Sequence, residues 1–333
     1  MRLRQSSNEG LWERLMVRTR SRIADPESAC APCSRRMRTT EPLPQRLDVP
    51  LRRSPRNRNP AWLPLLVLLS CAPVLAVAGN ARIGVTGGAS SFEGTSGGGL
   101  VPWATLGGYA GEGEAGGSVF LTRARVDDLD LTVAGLALAW EDRVELSFAR
   151  QELEVRPLDT EIHQDLVGLK VRLAGRLPYT RLPQISAGVQ YRRNRDFDGI
   201  PAALGARRED GVDYYLAASR LFFAALAGRN VFTNLVLRST RAHETGLMGF
   251  GSERELLLEG SVALFATDDL AIGAEYRQKP AGLAGVDESD WSSLFVAWFP
   301  VRHLSITLAR LDLGDVVRFE DQKGWYLSLE ASL

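Results

Sequence analysis

The chain has 333 residues, 45% of them hydrophobic, and its forty basic and forty acidic side chains cancel to zero net charge. Three cysteines, none of them after residue 71, exclude a disulfide-stapled scaffold. The neutral total hides an asymmetry: residues 1–60 carry fourteen Arg, no Lys and six acidic residues, net +8, while the other 273 carry 26 basic and 34 acidic residues, net −8.

The basic head, residues 1–60, is rich in Pro and Arg, has no apolar periodicity and stops at a hydrophobic segment. It is read as disordered or untranslated, and no nucleic-acid partner is expected from it. Cys30-Ala31-Pro32-Cys33 spells a redox pair but lacks the βαβ context that such a pair uses. Residues 61–78 follow Arg52, Arg53, Arg56 and Arg58, are apolar around Pro64 and Pro73, and end on Ala76-Val77-Ala78. This is the pattern of a secretory signal peptide, and the two prolines argue against an anchor. Signal peptides start near the first residue, so translation is expected to begin downstream, with Met37 the candidate start. A weaker lipoprotein box precedes Cys71. The mature chain is then 79–333 and holds no cysteine.

Residues 87–108 include Gly97, Gly98 and Gly99 but lack the Lys-Ser/Thr of a phosphate-binding loop. "GEGEAG" at 111–116 has the dinucleotide-binding spacing, with Asp130 downstream. Its carboxylates Glu112 and Glu114 would repel a phosphate, however, and the next segment alternates with period two. It is read as a turn between strands, and no cofactor is expected.

From Leu129 onward the period of two recurs. Val144, Leu146 and Phe148 alternate with Glu145 and Ser147. Val167, Leu169, Val171 and Leu173 alternate with Gly168, Lys170 and Arg172. Ile185, Ala187, Val189 and Tyr191 alternate with Ser186, Gln190 and Arg192. Leu270, Ile272, Ala274 and Tyr276 alternate with Gly273, Glu275 and Arg277. Leu304, Ile306 and Leu308 follow, and the chain closes with Trp325, Leu327, Leu329, Ala331 and Leu333 on one face. Tight turns are expected at 140–143, 267–269 and 300–302. Longer links are expected at 194–211, with one helical turn at 200–206, and at 279–290. In "WSSLFVAWF" either Phe295 and Ala297, or Leu294, Val296 and Trp298, could face outward.

Strands of about ten residues with charges on one face fit an all-β transmembrane antiparallel β-barrel of about twelve strands, within a range of ten to fourteen. Closure satisfies every backbone group in lipid without an open edge. The apolar face is expected to meet lipid, with Trp140, Tyr191, Tyr276, Trp291, Phe299 and Trp325 as interfacial girdles. The lumen candidates are Lys170, Arg172, Arg192, Arg238, Glu275, Arg277 and Glu330. Gly97, Gly98, Gly99 and Trp103 are expected to pack into the mouth or lumen as a constriction.

The stretch "TGGASSFEGTSGGGLVPWATLGGY" resembles the opening of an uncharacterised family of predicted outer-membrane barrels, domain of unknown function 3034. "EDRVELSFARQ", "LVGLKVRL", "LRSTRAHETGLMGFG", "AIGAEYRQKP", "DWSSLFVAWFPVRHLSITLARLDLG" and "GWYLSLEASL" extend the resemblance across about 82–333. It implies a barrel in the Gram-negative outer membrane, with outer-membrane lipid as its surroundings, and it brings no mechanism. The Arg-rich head departs from the family. The terminal strand is of the kind that barrel-assembly machinery reads, although it ends in Leu333 rather than an aromatic residue.

A passive channel or porin for small polar solutes is the favoured function, its candidate wall leaning cationic. A structural or assembly-related barrel is the alternative. A lipase-like barrel enzyme would need His303 and Ser305, which share a strand face but have no evident orienting acid. Isolated His163, His243 and His303 give no metal-ligand spacing.

Overall fold

A computed structural model describes residues 90–108, 110, 111, 113–280 and 289–332. The basic head with Cys30, Cys33 and Met37, the signal segment with Cys71, and Glu112 lie outside the described residues.

Twelve antiparallel strands close into a single barrel, each bonded to its sequence neighbours and β1 sealed against β12. They are β1 (Ala115–Val126), β2 (Leu129–Trp140), β3 (Val144–Val155), β4 (Thr160–Ala174), β5 (Gln184–Asn194), β6 (Asp210–Leu226), β7 (Arg229–Ala242), β8 (Phe250–Phe265), β9 (Leu270–Arg277), β10 (Trp291–Val301), β11 (Leu304–Asp312) and β12 (Lys323–Ser332). One helical turn, α1 (Ile200–Ala203), sits in the link between β5 and β6. "GEGEAG" runs directly into strand β1, as its period-two continuation requires.

The start of β1 and the end of β12 share one end of the barrel with the short turns at 227–228, 266–269 and 302–303. The opposite end carries the links 195–209, 243–249 and 313–322, and the link 175–183 lies at the first end. In transmembrane barrels the short turns are periplasmic and the long loops extracellular. The two ends are named accordingly below.

Alternation fixes the wall. Leu169, Ile272 and Leu294 point outward with 45, 49 and 68% of their surface exposed. The ambiguous stretch resolves with Leu294, Val296 and Trp298 outward and Phe295 and Ala297 inward. Three inward glycines lie beneath cross-strand aromatic rings: Gly135 opposite Phe120, Gly188 opposite Tyr215 and Gly273 opposite Phe295. A Cβ on any of them would come within 2.1–2.5 Å of the ring. Each ring thus lies flat along the wall, leaving the lumen axis to other groups.

The expected girdles need two corrections. Trp140, Tyr191, Tyr276 and Trp325 face outward near strand ends, but Trp291 and Phe299 point inward and are buried. Outward Tyr214, next to Tyr191 and Tyr276 in level, and Trp298, at the level of Trp140, complete the two belts.

The rule of apolar outside and charged inside also reverses at the extracellular end. There Arg123, Asp130, Arg150 and Asp165 face outward and pair as Arg123–Asp130 (2.7 Å) and Arg150–Asp165 (2.9 Å). The inward residues at that level are Val126, Leu129, Leu131 and Leu153, and the lumen-filling cluster includes Val126, Leu129 and Leu153. Leu129, Leu131 and Val133 therefore face the interior, not lipid. The strands run past the hydrocarbon layer, and above it the barrel is built like a water-soluble protein, with polar groups out and apolar groups in.

Candidate functional site

The lumen is filled. Residues 90–108 enter it ahead of β1, and every one is buried. Small side chains let the segment fold back on itself, with Phe92 N–H bonded to the Gly99 carbonyl (3.0 Å) and Trp103 N–H to that of Ser96 (3.1 Å). Close approach needs glycine at two of the three predicted positions. A Cβ at Gly97 would lie 2.5 Å from the Val101 carbonyl oxygen, and one at Gly98 would lie 1.8 Å from Glu275 Oε1. A Cβ at Gly99 would be less crowded, 3.3 Å from Glu275 Oε2 and 3.4 Å from the Tyr326 ring.

Glu93 is the only charged residue in this plug, and it is wholly buried. Three wall arginines converge on its carboxylate: Arg192 (2.7 Å), Arg238 (2.8 Å) and Arg277 (2.6 Å). Asp213 and Glu259 hold the outer sides of the same guanidiniums, at 2.9 Å from Arg192 and 2.5 Å from Arg238. Burial pushes the Glu93 carboxyl up, but the three guanidiniums outweigh it and hold the group well below the usual carboxylate range.

A second anchor forms at Lys170, whose ammonium donates to the carbonyls of Ser96 (2.9 Å) and Thr105 (2.8 Å) beside Glu145. Glu145 in turn accepts from Thr95 Oγ1 (2.5 Å) and from the N–H of Gly107 (2.7 Å). A third is Glu275, which accepts from the Leu100 N–H (2.7 Å) and the Ser261 hydroxyl (3.1 Å). Trp103 donates its indole N–H to Ser261 (3.1 Å) and packs on Phe232 with ring centroids 4.5 Å apart. Gln184 and Ser186 both donate to the Ala104 carbonyl, and Asn234 to that of Pro102.

Of the seven predicted lumen residues, Lys170, Arg192, Arg238, Glu275 and Arg277 come together on the plug. Arg172 does not: it lies at the periplasmic rim, paired with Asp142 at 3.2 Å, beside a cleft of about 570 Å³ lined also by Glu141, Arg143 and Arg176. Glu330 is buried on β12, where it accepts from the Ser332 hydroxyl (3.3 Å). Sequence reasoning passed over Glu93, Asp213 and Glu259, and placed Glu145 only as an alternating polar residue. Together these carboxylates offset the expected cationic lean of the wall. A lone charge at Glu93 within a long run of small and apolar residues was the available signal.

His303 Nδ1 lies 2.8 Å from the Ser332 carbonyl, at the turn before β11, while Ser305 is buried on the inner face. Glu152, Glu161 and His163 bring ligand-type atoms within 4.8 Å of one another outside β3 and β4, and His163 Nδ1 pairs with Asp196 at 2.8 Å.

No curated protein sequence matches the chain. Among solved structures, the KdgM porin aligns at 11% identity over 65% of this chain and 99% of that one, with a TM-score of 0.44. The NanC porin aligns at 7% identity over 65% and 100%, with a TM-score of 0.45. LpxR from Salmonella typhimurium aligns at 12% identity over 65% and 99%, with a TM-score of 0.40. A family model described as "Protein of unknown function (DUF3034)" matches residues 86–330, so it spans the plug and nearly all of the twelve-stranded barrel, and the chain belongs to that family.

Proposed function

We propose that this protein is an outer-membrane channel held shut by its own N-terminal plug, rather than a passively open porin. The outward apolar band between two aromatic belts supports the outer-membrane location. The observation that carries the channel reading is the chemistry of the seat: Glu93 and its three arginines, Lys170 with Glu145, and Glu275 hold the plug by polar contacts. These polar anchors can be exchanged for water, although Phe92, Leu100, Val101 and Trp103 of the plug also pack in the apolar interior. A barrel of eight strands is filled by its own side chains, and sixteen or more leave an aqueous pore. Twelve strands lie between, wide enough to need a plug.

Planar-bilayer recording tests this. The full chain should sit closed with rare, brief openings, and a variant lacking residues 90–108 should conduct steadily. Heat-modifiable migration on a gel confirms that each barrel is folded. A folded, plug-deleted barrel that stays silent would overturn the channel reading in favour of a structural role.

A further inference from the structure

Above the hydrocarbon layer the outer face of β3 and β4 gathers carboxylates. Glu152 and Glu154 of β3 stand opposite His163 and Glu161 of β4, all four on the outward side. Like charges directly opposite one another, as Glu154 and Glu161 are, destabilise a sheet. Arg150 and Arg195, the arginines beside this patch, are both bound to Asp165. Among the described residues no hydrogen bond or ion pair reaches the carboxylate of Glu152 or of Glu161. Ligand-type atoms of Glu152, Glu161 and His163 nevertheless lie within 4.8 Å of one another. The imidazole among them is held from behind. Asp196 Oδ2, in the β5–β6 link, accepts from the His163 backbone N–H (2.7 Å) and lies 2.8 Å from His163 Nδ1. With Nδ1 bonded to a carboxylate, Nε2 is the nitrogen left to take a metal. A carboxylate placed so fixes the ring and the tautomer of a metal-ligating histidine.

We propose that Glu152, Glu161 and His163 bind one zinc ion on the outer face of the barrel. The two carboxylates cancel its charge, His163 Nε2 supplies the nitrogen donor, and water completes a tetrahedral shell. Tetrahedral ligands at about 2.0–2.1 Å from zinc stand about 3.4 Å apart. Closing in from the present spacing takes rotation of two glutamate side chains and no movement of the strands. The imidazole decides the metal. Calcium takes about six to eight oxygens and magnesium a near-octahedral set of them, whereas imidazole suits zinc. The ion reaches the site from external water, since the His163 and Asp196 side chains are 35 and 43% exposed. Bound there, it ties β3 to β4 and, through Asp196, to the β5–β6 link. The site lies outside the wall, so it stands or falls apart from the plugged-channel reading.

Calorimetric titration of the full, untagged chain in detergent micelles with zinc chloride tests this. One equivalent should bind saturably, and equal concentrations of calcium or magnesium should not displace it. His163→Ala should abolish binding, while His303→Ala, on the periplasmic rim, should leave it unchanged. Asp196→Asn, which touches no metal, should weaken binding by about 10–100-fold, as loss of a carboxylate behind a ligating histidine does. Glu152→Gln and Glu161→Gln should each weaken it at least as much. Cobalt(II) in place of zinc should show the intense visible absorption of a tetrahedral ion and lose it in His163→Ala. Heat-modifiable migration checks that each variant is folded. No saturable site, zinc binding unchanged in His163→Ala, or calcium binding as tightly as zinc would each overturn the inference. If His163→Ala fails to fold, the metal ranking and the cobalt spectrum of the unaltered chain decide.

Discussion

Removing the Glu93 carboxylate would take from three buried guanidiniums the one anion that they all share. Breaking a buried ion pair by deleting one partner costs about 3–5 kcal/mol. Here Asp213 and Glu259 still hold Arg192 and Arg238, so the loss should fall on the plug and not on the barrel. Glu93→Gln is expected to raise open probability in bilayer recordings and to expose the plug to protease, with heat-modifiable migration kept. Acid should not mimic it. The Glu93 carboxyl is depressed from 4.5, so its contribution is complete above that value and is lost only as pH falls far beneath it. No opening due to Glu93 is therefore expected between about pH 7 and about pH 5; an acid opening in that window that survives in Glu93→Gln belongs to another anchor.

At the scale of the element, one strand carries two kinds of cost. Leu169→Arg on β4 and Ile272→Arg on β9 place a charge against lipid and should each cost about 2–4 kcal/mol. The inward neighbour Lys170 carries the second kind. It is 1% exposed and bridges two plug carbonyls to Glu145, so Lys170→Ala should cost about as much as an outward arginine. Denaturant unfolding of the refolded variants in vesicles compares them. If Lys170→Ala is near neutral, the plug is not seated through β4.

The strands themselves were legible because alternation is local: each residue's facing is set by its two neighbours, and turn residues mark the ends. The plug's partners were not. Glu93 meets Arg192, Arg238 and Arg277 at separations of 99, 145 and 184 positions, which no local pattern encodes. The reversed facing of Leu129, Leu131 and Val133 was hidden for another reason. An alternating pattern tells which residues share a face, but the solvent outside decides which face is inner. That solvent changes from lipid to water partway along β1–β4.

For the molecule as a whole, the plug and the barrel are joined by a very short link. Gly111 and Glu114 close a turn, with Gly111 N–H bonded to Glu114 Oε2 at 2.9 Å, and β1 begins at Ala115 on the periplasmic end. Five or so residues reach about 18 Å when extended. A displaced plug is therefore a leashed blocker: it can leave only toward the periplasm and stays within reach of the seat it left. Short tethers hold a ligand at an effective concentration of about millimolar. Reclosure then needs no search, and each opening lasts only as long as something keeps the leash taut. A synthetic peptide of residues 90–108, added to the plug-deleted barrel, should match the tethered closure only at about millimolar concentration. Full block at far lower concentration would mean that the seat, and not the leash, sets how long the pore stays shut.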